Sequence, residues 1–284
     1  MTDVAAVSHP GRVRKDNQDR YITKRSQGVT LLAVADGVGG EAGGDVASAA
    51  AVDALASAFE FGARDTPAAL ASAVRAANDA VLRASSERGH TTAASTLVAA
   101  TVRGRQVAVA NLGDSRAYLV RAGSARQITS DHTGALPHSI TRFLGDPRGV
   151  APDVFVEVIR SRDRLVLCSD GLTRHVTPEE IARGVVATGP EQAARSLVDL
   201  ANARGGEDNV TIVIYQSPRM LGRTVLLVVL SVIVALSMIG AIVAFVSPDL
   251  VGPAPFPFPS PSPSASPSPS ASPSQTPSPS PTPS

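Results

Sequence analysis

The chain has 284 residues, and its 26 Lys and Arg against 25 Asp and Glu leave a formal net charge of +1. Because the charges balance and no dense Lys/Arg run occurs, nothing in the electrostatics indicates nucleic acid as a partner. The single cysteine, Cys168, excludes an internal disulfide and lies in an apolar run, which indicates a buried thiol in a reducing compartment rather than a nucleophile.

Apolar runs with β-branched residues predict the strands of the globular part. In chain order they cover residues 21–23, 29–35, 96–102, 107–111, 117–120, 154–159, 164–168 and 210–215. Ala-rich stretches with helical spacing predict helices over 45–61, 67–86, 178–187 and 191–203, and Thr177 and Pro178 are typical of a helix start. Because several strands are joined by short turns, we expect antiparallel pairing and an α+β fold.

The composition changes near residue 219. No charged residue occurs from Thr224 to Val246, and this segment would reach about 35 Å as a helix, enough for a hydrocarbon core of about 30 Å. Arg219 and Arg223 precede it and no Lys or Arg follows, an asymmetry that places the N-terminal side in the cytoplasm. We therefore expect one transmembrane helix in the cell membrane, with the globular part inside the cell.

The C-terminal tail is almost only Pro and Ser from Pro253 onward. This composition cannot bury a core and favours extended, disordered chain. The predicted organisation is a globular domain (1–218), a basic juxtamembrane segment (219–223), a transmembrane helix (224–246) and a disordered extracytoplasmic tail (247–284).

Four aspartates lie at the ends of predicted strands, each beside a glycine or asparagine turn: Asp36, Asp114, Asp170 and Asp208. A strand that ends in Asp-Gly delivers a carboxylate to the sheet edge and lets the backbone bend away. Oxygen ligands favour Mg²⁺, Mn²⁺ or Ca²⁺ over Zn²⁺, and the sequence has no Cys/His cluster with zinc spacing. The pattern predicts a site for divalent cations.

A series of short motifs carries a closer resemblance. They cover residues 14–19, 36–40 with Gly44, Ala47 and Ser48 behind them, 111–118, 167–172 and 208–211. In this order they resemble the motif set of the type 2C (PPM) metal-dependent protein serine/threonine phosphatases, in the bacterial membrane-anchored branch, over residues 1–216. The resemblance implies a sandwich of two antiparallel sheets packed face to face, with helices on both outer sides.

The resemblance also implies a centre of two to three divalent cations, Mn or Mg. Asp36 would bridge two of them, Gly37 would offer its carbonyl to the first, and Asp170 with Asp208 would hold the second. Asp114 together with Asp170 matches the third position of bacterial members. Two such cations lower the pKa of a water between them and neutralise the phosphoryl oxygens that it attacks.

Three neighbouring residues complete the implied site. Arg14 matches the family's phosphate-binding arginine, whose planar fork can bind two phosphate oxygens at once. Asp19 matches an acid that orients the waters around the metals. Gln18 stands where the family usually has Glu, which removes a negative charge beside the first metal.

Two further departures from the family concern the rim of the site. Val38 occupies the place of a histidine found in animal members. Only six residues separate Thr133 from Ile140, where bacterial relatives insert a mobile flap, so we expect the flap to be missing. His132 and His138 bracket this short loop and are the histidines expected near the cleft.

The function implied by the resemblance is hydrolysis of phosphoserine and phosphothreonine in phosphorylated proteins by a metal-activated water, opposing a membrane serine/threonine kinase. The alternative is a catalytically weak sensor or binding module in the membrane, which Gln18 and the lost flap favour. The retained aspartates favour the enzyme, because clustered carboxylates repel each other without metal. A haloacid-type phosphotransferase would need Asp-x-Asp after its first strand, and Asp36 to Val38 does not supply it.

Overall fold

The computed structural model describes residues 3–38, 40–88, 93–136, 139–218 and 223–246, without the side chains of 40–42, 223–228 and 244. The chain divides into two compact units, Met1–Met220 and Leu221–Ser284. The predicted tail (247–284) and His138 lie outside the described residues, so the predictions made for them stay predictions.

The first unit alternates strands and helices in an order close to the predicted one. Its elements are β1 (Val4–His9), β2 (Asp19–Ser26), β3 (Val29–Val38), α1 (Gly40–Ala58), α2 (Thr66–Glu87), β4 (Ala94–Ser95), β5 (Leu97–Arg103), β6 (Gln106–Leu112), β7 (Arg116–Arg121), β8 (Ser124–Gln127), β9 (Asp153–Val158), β10 (Arg164–Cys168), α3 (Asp170–Thr173), α4 (Pro178–Ala187), α5 (Pro190–Ala203) and β11 (Val210–Gln216).

The strands form two antiparallel sheets. Sheet A has the order β1-β11-β10-β7-β8, and sheet B has the order β2-β3-β5-β6-β9, with β4 paired to β3. All described pairings between these strands are antiparallel. The short turns that predicted antiparallel pairing therefore predicted the fold class correctly.

The two sheets pack against each other and carry helices on their outer faces. Along β3, Leu32 and Val34 join a buried cluster that also contains Leu167 and Val213 of sheet A. Leu31 and its neighbours of the opposite parity pack instead with α1 and α2. A second outer cluster joins the far face of sheet A to α4 and α5. Because β3 is covered on both faces, its sequence is a continuous apolar run rather than an alternating one.

The predicted helices are all present, with differences at their ends. Thr177 is the N-cap of α4 as predicted: its hydroxyl accepts a hydrogen bond from the Glu180 N–H, and the Glu180 carboxylate accepts one from the Thr177 N–H. The first predicted helix was extended too far, because α1 ends at Ala58 and Phe59 and Phe61 turn into the core, where their rings pack edge to face.

Four short elements were not predicted: β1, β4, β8 and α3. β1 illustrates the reason, because its residues are weakly apolar and form a strand by pairing with β11 along its whole length. Cys168 is fully buried, as predicted, and burial raises the pKa of its thiol to about 12.

The second unit contains the helix α6 (Arg223–Val246). No helix in the part of the chain that the structure describes combines the length and the apolarity that a membrane crossing requires. The transmembrane helix expected over residues 224–246 is therefore not confirmed.

Candidate active site

The four predicted aspartates line one cleft at the edge of both sheets. Asp36 precedes the end of β3, Asp114 follows β6, Asp170 follows β10 and Asp208 precedes β11. In antiparallel sheets, the carboxyl ends of β3 and β6 lie at one edge, as do the end of β10 and the start of β11. The fold thus brings together side chains that are far apart in the sequence.

Two glycines allow the backbone to approach closely beside these aspartates. A Cβ at Gly37 would lie 2.1 Å from the carbonyl oxygen of Gly44, so the start of α1 packs directly on the end of β3. A Cβ at Gly171 would lie 2.0 Å from the carbonyl oxygen of Asn209. The second contact holds α3 against the segment before β11, which places Asp170 beside Asp208. Asp170 follows the end of β10 as predicted and begins the short helix α3.

Asp19 and Asp36 face each other across the β2–β3 pair. Asp19 is buried, and its Oδ2 accepts a hydrogen bond of 2.7 Å from the Ser169 hydroxyl. Burial raises the pKa of Asp19 to about 7. Burial, followed by repulsion from Asp19 and Asp170, raises the pKa of Asp36 well above its usual range. A buried and a half-buried carboxyl group on neighbouring strands are costly unless protons or cations neutralise them.

Asp114 lies on a loop that His132 holds from behind. The Gly113 N–H donates to Nδ1 of His132 at 3.1 Å, and the His132 N–H donates to the Gly113 carbonyl at 3.0 Å. Nε2 of His132 lies 2.9 Å from Asp153 Oδ2. The imidazole is therefore a buried support of the loop that carries Asp114, which places His132 near the cleft as expected. Burial, then repulsion from Asp170, raises the pKa of Asp114 to about 6.

Arginines hold the other two aspartates. Arg14 donates from Nη2 to Asp208 Oδ2 at 3.1 Å, and its Nε lies 3.0 Å from Oδ1. Arg174 donates to Asp170 Oδ2 from Nε at 2.9 Å and also from Nη2. Nη1 of Arg174 lies 3.7 Å from Asp208 Oδ2. The sequence prediction included Arg14 but missed Arg174, because the short helix α3, which places Arg174 one turn after Asp170, was not predicted.

Gln18 connects the two sides of the cleft through its main chain. Its carbonyl accepts hydrogen bonds from the Gly37 N–H at 3.2 Å and from the Ser48 hydroxyl at 2.6 Å. Its N–H donates to the Asn209 side chain at 2.8 Å. Gln18, Gly37 and Val38 all line the cleft.

The two ends of the segment expected to lack a flap pair with each other. Thr133 and Ile140 form an isolated antiparallel bridge, and the Gly134 N–H donates to the Ser139 carbonyl at 2.8 Å. Ile140 lines the cleft directly. Residues 137 and 138 lie outside the described part of the chain.

The donor atoms of the cleft fit a hard divalent cation. Oδ1 of Asp19, Asp114 and Asp170 is buried without a hydrogen-bond partner, and carboxylate oxygens are the ligands that Mg²⁺ and Mn²⁺ prefer. Yet no group of three or more His, Cys, Asp or Glu side chains among the described residues is close enough together to hold a metal ion. Two of the four aspartates accept hydrogen bonds from guanidinium groups instead.

Comparison with known proteins decides the family. The sequence profile described as protein phosphatase 2C matches residues 11–203. The chain belongs to this family. The serine/threonine phosphatase stp of Listeria welshimeri is 34% identical over 233 residues, which cover 72% of this chain and 92% of the relative. The serine/threonine protein phosphatase PstP of Mycobacterium tuberculosis is 36% identical over 230 residues, 74% of this chain and 44% of PstP.

Solved structures agree with this family. The catalytic domain of PstP in complex with two manganese ions superposes with a TM-score of 0.68 at 35% identity, over 75% of this chain and 97% of that domain. The protein phosphatase 2C fold predicted from the motifs is therefore confirmed for the first unit. The α+β architecture, with two antiparallel sheets flanked by helices, is common to both.

Proposed function

We propose that the chain is a metal-dependent protein phosphatase that hydrolyses phosphoserine and phosphothreonine in proteins. The observation that carries this proposal is the cleft itself, where aspartates from both sheets lie beside Arg14. Family membership and the phosphatase names of the relatives support it. The PstP domain with two manganese ions supports Mn or Mg as the cofactor.

The site contains residues that would bind the cations and a residue that would bind the waters around them. Asp36, Asp170, Asp208 and the Gly37 carbonyl would hold two divalent cations, and Asp114 with Asp170 a third. When bound, these cations activate the attacking water and offset the charge of the phosphoryl oxygens. Asp19, buried behind Asp36, would accept hydrogen bonds from waters around the cations.

Arg14 is placed to bind the phosphoryl group. Its side chain is 56% exposed at the cleft, and its main-chain neighbours are fixed because the N–H groups of Arg12 and Val13 donate to the Gly206 carbonyl at 2.7 and 3.3 Å. A planar guanidinium on a fixed loop can bind two phosphoryl oxygens and orient the scissile bond. The same fork binds the Asp208 carboxylate in the structure.

The test is phosphate release by the full chain from p-nitrophenyl phosphate and from a phosphothreonine peptide, with Mn²⁺ and with chelator. We expect turnover of both substrates with Mn²⁺ and none with chelator. Asp79→Asn, on an exposed position of α2, is the matched control for substitutions in the cleft. Mn²⁺ binding without turnover of either substrate would favour the alternative, a catalytically weak sensor or binding module.

We also propose a location, which rests on the sequence. The absence of charge from Thr224 to Val246 and the placement of Arg219 and Arg223 before it support a single-pass membrane anchor, with residues 1–218 in the cytoplasm and the tail outside. In intact cells, an epitope tag after Pro253 should bind antibody while residues 1–218 resist added protease. Cleavage of the first unit by external protease would contradict this topology.

The phosphoproteins that such an enzyme uses as substrates must be made by a serine/threonine kinase, and we propose that this kinase lies in the same membrane. The support is the proposed anchor, because two enzymes confined to one membrane meet at high effective concentration. Deletion of the gene should raise phosphothreonine on membrane-associated proteins. An increase restricted to soluble proteins would contradict the shared location.

A further inference from the structure

We propose that the Arg174 guanidinium competes with divalent cations for the carboxylates of Asp170 and Asp208. It binds both carboxylates when no metal is bound, and it must move away before a divalent cation binds there. Arg174 would thus lower the apparent affinity of the cleft for metal. The inference rests on the proposed metal-dependent function, since it assigns the same two carboxylates to both cations. It adds a determinant of metal affinity that the motifs did not indicate.

The position of Arg174 is determined by the short helix α3. The Arg174 N–H donates to the Asp170 carbonyl at 2.9 Å. This hydrogen bond closes the helical turn, so the Arg174 side chain lies on the same face as Asp170. The guanidinium donates twice to Asp170 Oδ2, and its third nitrogen lies 3.7 Å from Asp208 Oδ2. One side chain therefore contacts both carboxylates assigned to the second metal.

These contacts differ from an ordinary surface ion pair. The side chain of Arg174 is 30% exposed, that of Asp170 is 14% exposed and that of Asp208 is 20% exposed, so all three are partly shielded from water. The guanidinium of an arginine keeps its positive charge at physiological pH, so these contacts join full charges. Attraction between partly shielded charges is stronger than in bulk water.

Arg174 and a divalent cation would compete for the same atoms. A metal bound by Asp170 and Asp208 would lie within a few ångströms of the guanidinium, where two positive charges repel. The two carboxylates are free to bind metal only in those molecules in which Arg174 has moved away from them. The apparent affinity for metal equals the intrinsic affinity multiplied by that fraction of molecules. Arg14 contacts Asp208 but no oxygen of Asp170, so it obstructs this pair of ligands less.

Two other roles for Arg174 give different results. If it aligns Asp170 for the metal, its removal weakens metal binding. If it only closes the end of α3, its removal leaves metal affinity unchanged. Competition is the role in which a neutral side chain at this position tightens binding.

The experiment is calorimetric titration of the full chain, in mild detergent, with Mn²⁺ alone. Arg174→Gln should bind Mn²⁺ about threefold to tenfold more tightly than wild type, the range expected for loss of a partly shielded ion pair. Arg174→Lys keeps the charge without the double contact and should lie between them. Arg195→Gln is the matched control, because Arg195 forms an exposed i,i+4 pair with Glu191 at 2.9 Å on α5; its affinity should equal that of wild type.

A second readout follows thermal unfolding. With chelator, Arg174→Gln should unfold at a lower temperature than wild type, because the carboxylates lose a counter-charge, and it should gain more on addition of Mn²⁺. An Mn²⁺ affinity of Arg174→Gln that is equal to or weaker than that of wild type overturns the proposal. If Arg174→Gln does not fold, an equal or weaker Mn²⁺ affinity of Arg174→Lys overturns it. Mn²⁺ binding without phosphatase activity in wild type would contradict only the function, whereas no Mn²⁺ binding would overturn both.

Discussion

The aspartates on the two sides of the cleft have different electrostatic surroundings. Asp36 and Asp114, from sheet B, form none of the ion pairs found among the described residues, and their pKa values are raised. Asp170 and Asp208, from sheet A, are held by Arg174 and Arg14. Sheet B thus supplies carboxylates whose charge is uncompensated, whereas sheet A supplies carboxylates that already have counter-ions.

This difference indicates how the cleft accommodates its charge in the metal-free state. Protons can neutralise the sheet B side, because buried carboxyl groups near one another bind protons more tightly. Guanidinium groups neutralise the sheet A side. Divalent cations would replace both, so activity should depend on both sides equally while stability should not.

The largest expected effect is on activity and is the same on both sides. Asp36→Asn and Asp170→Asn should each lower kcat/KM by about 10³-fold or more, because each removes a charge that anchors the cations. The measurement is turnover of p-nitrophenyl phosphate over a range of Mn²⁺ concentrations, with Asp79→Asn as control. Full Mn²⁺-dependent turnover in either variant would refute the assignment of that aspartate.

The free energy of unfolding should change in opposite directions in Asp36→Asn and Asp170→Asn. In chelator at pH 8, Asp36→Asn should raise the free energy of unfolding by about 1 kcal/mol, since a half-buried carboxylate without a counter-ion is replaced by a neutral amide. Asp170→Asn should lower it by up to about 1 kcal/mol, since Arg174 loses its partner. Denaturant unfolding measures both, and changes of the same sign would remove the proposed difference between the two sides.

The carboxyl groups on the sheet B side should determine how the stability of the protein depends on pH. Asp19 and Asp114 have folded-state pKa values of about 7 and about 6, above the usual 3.8, so the folded protein binds protons that the unfolded chain releases. Their contribution to stability is therefore largest at low pH and is lost as the pH rises through about 6 to 7.

With chelator, the melting temperature should fall by about 5 °C between pH 5 and pH 8, and Mn²⁺ should reduce this fall by binding the ionised carboxylates. Asp19→Asn should flatten the profile measured in chelator. A melting temperature that rises over this range in chelator would mean that these carboxyl groups are ionised at low cost in the folded protein.

The smallest effect is expected for Gln18→Glu, the change toward the family pattern. A carboxylate added beside Gly37 should lower the Mn²⁺ concentration for half-maximal activity by about threefold. The main-chain contacts of Gln18 with Gly37 and Asn209 should persist, so the melting temperature in chelator should change little. An unchanged Mn²⁺ requirement would show that this side chain does not reach the first cation.

Prediction from the sequence succeeded where the signal is local. Val29 to Ala35 is apolar enough to be recognised as a strand, and Thr177 followed by Pro178 is recognised as a helix start, because both depend on neighbouring residues. Prediction failed for β1, which becomes a strand through its pairing with β11. It placed His132 near the cleft but did not give its role behind Asp114, which depends on hydrogen bonds to Gly113 that no spacing reveals.

The sequence by itself determined the family, the antiparallel α+β fold and the aspartates of the cleft, because motif order and strand patterns are properties of short segments. Only the tertiary structure decided which charges surround each aspartate. Arg174 contacts Asp208 because Gly171 lets α3 pack against the segment before β11, and Asp36 becomes a neighbour of the buried Asp19 because β2 pairs with β3. Counter-ions and burial arise from contacts between distant segments, and these contacts determine how strongly each carboxylate attracts a cation.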